Sequence, residues 1–126
     1  MESLVDFKAV TTYLQQGNRL KDTGNLGGAI ENYQKALEFN PKDAEVHKKL
    51  AEVYVLQGEF SRAIAQCNLA IKFQPNFAPA YLTMGNALHG QNQLEMAIKA
   101  YLQALEIQAE FAEASANLGS MYYKLG

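Results

Sequence analysis

Apolar and small side chains follow a helical spacing along most of this chain. One stripe occupies positions i, i+3, i+4 and i+7, which lie on one face of an α-helix: Tyr81, Met84, Gly85 and Leu88. A second stripe also lies on one helical face: Ala97, Tyr101, Ala104 and Leu105. Residues 90–93, Gly-Gln-Asn-Gln, separate the two stripes and are typical of a turn. The pattern predicts a helix, a tight turn and a second helix.

This pattern recurs every 34 residues without gaps. When segments are aligned from residues 10, 44, 78 and 112, the eighth position is small in all of them: Gly17, Ala51, Gly85 and Gly119. The twentieth position is alanine: Ala29, Ala63 and Ala97. The twenty-fourth position holds Tyr33, Cys67 and Tyr101. The sequence therefore predicts three helix–turn–helix units, at residues 10–43, 44–77 and 78–111, and the first helix of a fourth at residues 112–126.

Particular residues mark the turns and helix ends of these units. The fifteenth position suits the left-handed backbone of a helix cap: Gly24, Gly58 and Asn92. Pro41 and Pro75 should end the second helix of the first two units, because proline lacks an amide hydrogen and restricts the residue before it. Ala109 replaces this proline in the third unit, so we expect a less sharply defined helix end near Gln108.

Small residues at the eighth and twentieth positions indicate that the two helices of a unit approach closely, small against small, with tyrosines around the contact. In this arrangement Cys67 is expected to be a small buried core residue, and His47 a packed one. One unit cannot cover both of its apolar faces, so neighbouring units must stack on one another. The predicted fold is therefore all-α.

These positions together resemble the tetratricopeptide repeat, a helix–turn–helix unit of 34 residues. The resemblance extends over residues 10–126 and departs at a few positions, where His47 and Ser115 replace an aromatic residue, Asn92 replaces glycine and Ala109 replaces proline. It implies a right-handed superhelical solenoid of antiparallel helix pairs, three units plus one extra helix. It also implies that the first helices line a concave groove that holds a peptide or helix of a partner protein.

The helical period indicates which residues of the first helices point away from the core and into this groove. The residues expected to contact a partner are Leu14, Asn18, Lys21, Lys48, Lys49, Glu52, Val55, Leu82, Thr83, Asn86, His89, Asn117 and Tyr123. The competing interpretation is that most of them are simply solvated helix surface. They combine amides, charges of both signs and a few apolar side chains.

Two subfamilies of the repeat suggest more specific partners. One captures the C-terminal carboxylate of heat-shock chaperones with lysine, asparagine and arginine, and the matching positions here are Leu14, Asn18, Lys49, Pro79 and Thr83. Only Asn18 fits, and starting one unit later places acids, Glu52 and Glu113, where the carboxylate would bind. We therefore predict that this clamp is absent. The other subfamily, the repeats of O-linked N-acetylglucosamine transferases, carries a row of asparagines along its inner surface, called an asparagine ladder. Here Asn18, Asn86 and Asn117 are candidates for such a ladder, but other residues interrupt it.

The net charge and the few cysteine and histidine residues exclude several classes of function. The 11 basic and 13 acidic residues leave a formal charge of −2, which argues against nucleic acid or anionic lipid as a partner. A single cysteine, Cys67, cannot form an internal disulfide and predicts a reducing compartment, the cytoplasm. Two histidines, His47 and His89, are too few for a metal site, and no catalytic arrangement stands out. We predict that the chain is not an enzyme and uses no cofactor.

The two ends of the chain complete the predicted organisation. Residues 1–9 are expected to extend the first helix or cap it, with Ser3 as a possible helix cap. At the other end, the helix at residues 112–126 lacks a partner helix, so Leu118, Tyr122 and Leu125 should be partly uncovered. Either the chain is a fragment of a longer protein, or it associates with another copy through this helix.

The sequence thus favours a non-catalytic protein–protein interaction scaffold that binds a peptide or helix of a partner in its concave groove. Two alternatives stay open. The array is the substrate-recruiting region of a larger enzyme, such as a glycosyltransferase similar to O-linked N-acetylglucosamine transferases, or it is a self-assembly module that acts through its open repeat ends.

Overall fold

The computed structural model describes residues 3–126, which form seven α-helices and no strand. The helices are α1 (Leu4–Asp22), α2 (Leu26–Phe39), α3 (Ala44–Leu56), α4 (Phe60–Phe73), α5 (Ala78–Gly90), α6 (Leu94–Ile107) and α7 (Ala112–Leu125). The most extensive contacts join α1 to α2, α3 to α4 and α5 to α6. Each second helix also packs on the first helix of the following unit. The prediction of an all-α solenoid of helix pairs is confirmed.

The first helix begins before the first predicted unit. The Ser3 hydroxyl oxygen accepts a hydrogen bond from the backbone N–H of Asp6 at 3.0 Å, which caps α1 as a serine at this position usually does. Residues 4–9 therefore continue α1 toward the N-terminus, and Leu4, Val5 and Phe7 are largely exposed there. Residues 1–2 of the predicted extension lie outside the described part of the chain.

The turns inside the units have the predicted backbone. Gly24, Gly58 and Asn92 have φ angles of 86°, 77° and 60°. These values lie in the left-handed region, which glycine enters without a Cβ clash and asparagine tolerates better than most residues. The three tight turns, and with them the antiparallel course of each helix pair, were therefore readable from the sequence.

The prediction that the second helix of the third unit ends less sharply, near Gln108, is wrong. Helix α6 ends at Ile107, and Gln108 adopts φ −133° and ψ 93°, close to the angles of Asn40 and Gln74, which precede the two prolines. Each of these three residues donates its backbone N–H to the last turn of its helix. Phe111 packs on the apolar core just beyond this bend. We infer that tertiary packing, rather than proline, sets where this helix ends.

The glycine at the eighth position lies directly against a large ring. A Cβ built on Gly17 would lie 2.5 Å from Cε1 of Tyr33, and one built on Gly85 would likewise strike the ring of Tyr101. The alanines at the twentieth position are fully buried, as are Ala51 and Cys67 in the second unit. Two units therefore combine glycine with tyrosine at the eighth and twenty-fourth positions, and the second unit combines alanine with cysteine.

Candidate functional site

A cavity of about 290 Å³ opens on the face formed by the first helices. Its lining residues come only from α1, α3, α5 and α7: Lys21, Glu52, Val55, Leu56, Leu82, Thr83, Asn86 and Glu113. Neighbouring first helices also contact one another, α1 with α3 and α3 with α5. No second helix contributes to the cavity, so it is the concave groove of the solenoid.

Three residues predicted to point away from the core are instead largely buried. Leu82 is 7% exposed, Thr83 is 3% exposed and Lys48 is 8% exposed. Because α3 and α5 pack side by side, residues at their seam are covered by the neighbouring unit, which a single-helix pattern does not reveal. Leu82 joins the apolar core, and the Thr83 hydroxyl donates to the Pro79 carbonyl at 3.1 Å. Leu82 and Thr83 therefore line the cavity as buried residues, and Lys48 lies beneath the solvated surface.

Lysines from two helices surround the carboxylate of Glu52 in the middle of the groove. Lys21 of α1 lies 2.7 Å from Oε1, Lys48 of α3 lies 3.1 Å from Oε2, and Lys49 lies 3.9 Å from Oε1. Lys48 also lies 3.6 Å from a carboxylate oxygen of Glu45. We call the four residues Lys21, Lys48, Lys49 and Glu52 the central ion cluster. It joins the first unit to the second across the groove.

The central ion cluster keeps Glu52 ionised. Burial raises the pKa of this carboxyl, but the hydrogen bond from Lys21 and the positive charge of Lys48 together outweigh burial. The pKa of Glu52 therefore lies below its ordinary value. Its negative charge offsets one of the three neighbouring ammonium charges inside the groove.

Asparagines flank the central ion cluster and are oriented by tyrosines. The Tyr33 hydroxyl donates to Oδ1 of Asn18 at 2.6 Å, and the Tyr101 hydroxyl donates to Oδ1 of Asn86 at 2.7 Å. Asn117 of α7 donates to the same oxygen of Asn86 at 3.0 Å. Since the carbonyl oxygens serve as acceptors, the amide nitrogens of Asn18 and Asn86 remain as donors. The groove thus presents amide N–H groups held in place by buried rings.

Burial keeps both tyrosines protonated. It raises the pKa of Tyr101 to about 12, because burial outweighs the hydrogen bond from Asn117, which lowers this pKa, and the charge of Glu113 adds a smaller increase. The pKa of Tyr33 is also raised by burial and, to a smaller extent, by the charge of Glu52. Both hydroxyls therefore remain hydrogen-bond donors to their asparagines at physiological pH.

The second unit lacks this asparagine–tyrosine pair. Its ninth position is Glu52 and its twenty-fourth is Cys67, which is fully buried and has no hydroxyl. Burial raises the pKa of the Cys67 thiol to about 12, so it stays protonated and unreactive. The sequence contains a signal for this pairing, since asparagine and tyrosine recur 15 residues apart in the first and third units, and both change in the second.

The structure gathers some of the predicted groove residues and separates others. Lining the cavity are Lys21, Glu52, Val55, Leu82, Thr83 and Asn86. Lys48 and Lys49 form ion pairs with Glu52, and Asn18 accepts a hydrogen bond from Tyr33. Asn117 donates a hydrogen bond to Asn86. Away from the cavity are Leu14, which packs on the core, His89, and Tyr123, which is 88% exposed. The sequence list omitted two lining residues, Leu56 and Glu113.

The two histidines have different surroundings. His47 is buried, with Nε2 2.7 Å from the Pro41 carbonyl oxygen and Nδ1 2.7 Å from Oε1 of Gln66, so the packing prediction is confirmed. Nε2 of His89 lies 2.6 Å from the Lys124 ammonium. Burial, and then the charge of Lys124, lower the pKa of His89. Its imidazole is therefore neutral and accepts the hydrogen bond from Lys124.

Metal-binding and membrane-spanning features are absent from the described part of the chain. Among residues 3–126, histidine, cysteine, aspartate and glutamate never come together in a group of three or more that could bind a metal ion. None of the seven helices combines the length and the hydropathy required to cross a bilayer.

Comparison with known proteins identifies the repeat. A family model described as TPR repeat matches residues 17–58 and 85–126, which is two thirds of the chain. The chain belongs to the tetratricopeptide-repeat (TPR) family. A search of curated protein sequences found no significant match.

Solved TPR domains share the fold over nearly the whole chain. The first TPR of Spaghetti (RPAP3), bound to the HSP90 peptide SRMEEVD, is 26% identical, with a TM-score of 0.88 over 94% of both chains. The first TPR domain of human RPAP3 is 27% identical, with a TM-score of 0.89 over 92% of this chain and 91% of that one. The Sgt2 TPR domain from Aspergillus fumigatus, at 20% identity and a TM-score of 0.88, shows the fold alone. These similarities support the predicted protein-interaction scaffold.

Proposed function

We propose that this TPR array is a non-catalytic scaffold that holds an extended segment of a partner protein in its concave groove. The observation that carries the proposal is the cavity lined only by first helices, which combines an apolar wall with oriented amide donors. The likeness to the first TPR of Spaghetti, which is bound to a peptide, supports it. The partner is therefore a peptide or protein.

The contents of the cavity indicate how a segment binds. Val55, Leu56 and Leu82 supply apolar surface, and Leu56 is 61% exposed. A volume of about 290 Å³ is at the lower end of small-molecule pockets, so it suits one or two side chains better than a whole ligand. Beside this wall, the Asn86 amide is placed to donate to a backbone carbonyl. We expect an apolar anchor residue in an otherwise extended segment.

The charges of the groove argue against an acidic tail as the segment. Lys21, Lys48 and Lys49 are balanced by Glu45, Glu52 and Glu113, so the groove carries no net charge. Pro79 and Thr83 occupy positions where the chaperone-tail clamp needs basic side chains. We therefore propose a neutral apolar segment, and the predicted absence of the clamp stays a prediction.

Selection from a random peptide library tests this function. Peptides enriched on the immobilised protein are measured by calorimetry against two variants, Leu56→Glu in the groove and Leu102→Glu on α6 outside it. Leu102 is 45% exposed, so both substitutions place a charge on an already exposed leucine and should preserve the fold. We expect Leu56→Glu to weaken binding about tenfold or more and Leu102→Glu to leave it unchanged. Equal losses, or a loss with Leu102→Glu alone, would place the binding surface elsewhere.

Three further predictions remain proposals. A cytoplasmic location rests on the single free cysteine, Cys67, in the interior. A role as the recruiting region of a larger enzyme rests on the hydrogen bond that joins Asn86 to Asn117, two of the proposed ladder residues. Self-association rests on Tyr122 and Leu125 of α7, which are half exposed as predicted.

A further inference from the structure

Glu52 occupies a position that is asparagine in the equivalent place of the first and third units. Its two carboxylate oxygens are shared among Lys21, Lys48 and Lys49, at 2.7, 3.1 and 3.9 Å. The ammonium groups come from two helices and converge on one point, which is the arrangement that a protein uses to bind a carboxylate. Here the bound carboxylate belongs to the chain itself.

We propose that Glu52 is an intramolecular plug: its side chain fills an anion site formed by Lys21, Lys48 and Lys49, and thereby makes the groove reject acidic segments of partner proteins. This inference rests on the proposed function and deepens it, because it names the residue that decides the charge of the bound segment. Removing the plug should turn the same groove into a receptor for a peptide carboxylate.

The three lysines are held where a ligand would need them. Their side chains are only 22%, 10% and 24% exposed, so much of the entropy of fixing them has already been lost in the folded state. Without Glu52, the nearest remaining carboxylate is that of Glu45, 3.6 Å from Lys48. Three cations would then face one anion, and the excess positive charge would be partly desolvated. An external carboxylate could satisfy it.

The anion site is reachable from the groove. Lys21 and Glu52 both line the cavity, together with the apolar wall at Val55 and Leu82. A peptide with an apolar residue near an acidic one can therefore use both features without movement of the helices. In the native chain the Glu52 carboxylate and a peptide carboxylate compete for the same lysines. Glu52 is favoured because a tethered carboxylate acts at a high effective concentration, and a free peptide at micromolar concentration does not displace it.

Two substitutions remove the plug in different ways. Glu52→Asn reproduces the residue of the first and third units, and Glu52→Gln keeps the shape while removing the charge. The probe is the heptapeptide SRMEEVD, and its matched control has both glutamates replaced by glutamine, the aspartate by asparagine and an amidated C-terminus. Glu38→Gln, on the exposed surface of α2, changes the net charge equally but far from the cluster and serves as the control variant.

Calorimetry and thermal denaturation then measure binding of both peptides. We expect the acidic peptide to bind Glu52→Asn and Glu52→Gln about tenfold or more tightly than the native chain, and to raise their Tm. This gain should shrink when salt rises from about 0.1 M to about 1 M, since the Debye length falls from about 10 Å to about 3 Å. The control peptide, which has no carboxylate, and the Glu38→Gln variant should show no gain.

Several results would overturn the inference. They are equal binding of the acidic peptide by the native chain, no gain in the folded variants, an equal gain with Glu38→Gln, or an equal gain for the control peptide without carboxylates. Should loss of Glu52 unfold the chain, Lys48→Met with Glu52→Gln removes the most buried ammonium as well and leaves Lys21 and Lys49 to bind. Failure here would leave intact the library-selected peptides and their dependence on Leu56, so the two proposals fail separately.

Discussion

The first and third units place glycine at the eighth position against tyrosine at the twenty-fourth, whereas the second unit has Ala51 and Cys67 at these positions, in the same buried cluster. In all three units these residues are buried, so the change in one side chain offsets the change in the other. Interiors tolerate substitutions best when total volume is conserved. Glycine with tyrosine and alanine with cysteine therefore both fill the core at the same two repeat positions of one fold.

The difference extends from the core to the groove. The hydroxyl groups of Tyr33 and Tyr101 each donate a hydrogen bond to the asparagine at the ninth position of the same unit. Cys67 offers no such donor, and the ninth position of its unit is Glu52, held by lysines instead. The residue chosen to fill the core thus decides whether the groove presents an oriented amide or a charge. Packing and recognition are coupled through a single side chain in each unit.

The largest expected effect on stability comes from introducing into the third unit the cysteine of the second unit without its alanine. Tyr101→Cys leaves Gly85 facing a cavity, since neither residue of the pair then fills the space, and it removes the hydrogen bond to Asn86. We expect the free energy of unfolding to fall by about 3 kcal/mol. Urea denaturation followed by circular dichroism measures it. A loss below about 1 kcal/mol would mean that the ring is not a principal support of the unit.

Introducing the alanine without the cysteine should lower the free energy of unfolding by a somewhat smaller amount. Gly85→Ala forces a Cβ into the ring of Tyr101, and overpacking of this kind costs about 1–3 kcal/mol. Gly119→Ala is the matched control, because the same repeat position in α7 has no atom within 4 Å of an added Cβ. There the higher helix propensity of alanine should stabilise the chain by up to about 1 kcal/mol. Denaturation curves with effects of the same sign would contradict this.

Removing the charge of the second unit should have a smaller and pH-dependent effect. Glu52→Gln leaves Lys48 buried with a weaker partner, and we expect a loss of about 1–2 kcal/mol at neutral pH. The folded-state pKa of Glu52 is lowered, so its contribution is present above the unfolded pKa of about 4.3 and is lost as the pH falls through the folded value. Native and variant stabilities, measured by urea titration, should therefore converge in acid. A constant difference across the pH range would exclude the ion cluster as the cause.

The smallest change tests the hydroxyl alone. Tyr101→Phe keeps the ring against Gly85 but removes the donor to Asn86, and we expect a loss of about 1 kcal/mol with the fold intact. The same substitution removes one of the two hydrogen bonds that orient the Asn86 amide, which should weaken binding of the peptides selected on the native groove. Calorimetry with those peptides checks this, and Tyr122→Phe on exposed α7 is the control.

The sequence alone was sufficient for the fold because the determinants repeat. Gly24, Gly58 and Asn92 marked the turns, and alternating small and large positions at fixed intervals marked the buried faces. Each of these signals lies within one unit and depends only on the helical period. Conversely, Ala109 misled the helix-end prediction, because packing around Phe111 supplies what proline supplies elsewhere.

The candidate groove was only partly predictable, because its chemistry depends on contacts between units. Lys48, Leu82 and Thr83 were expected at the surface, but the adjacent first helices bury them. The link from Lys21 to Glu52 spans 31 residues, and a helical-face argument treats each helix separately. Pairwise covariation among the units, such as asparagine with tyrosine, is the signal that reveals such contacts within one sequence.

A double-mutant cycle on Gly85 and Tyr101 tests most directly whether the two side chains act as one unit. Gly85→Ala should destabilise the native chain but stabilise the Tyr101→Cys variant, because the added methyl group then fills space that the ring has vacated. We expect a coupling free energy of at least about 2 kcal/mol from urea denaturation of the four proteins. Additive effects of the two substitutions would contradict the account, since the pair would then not be the element that distinguishes the second unit from its neighbours.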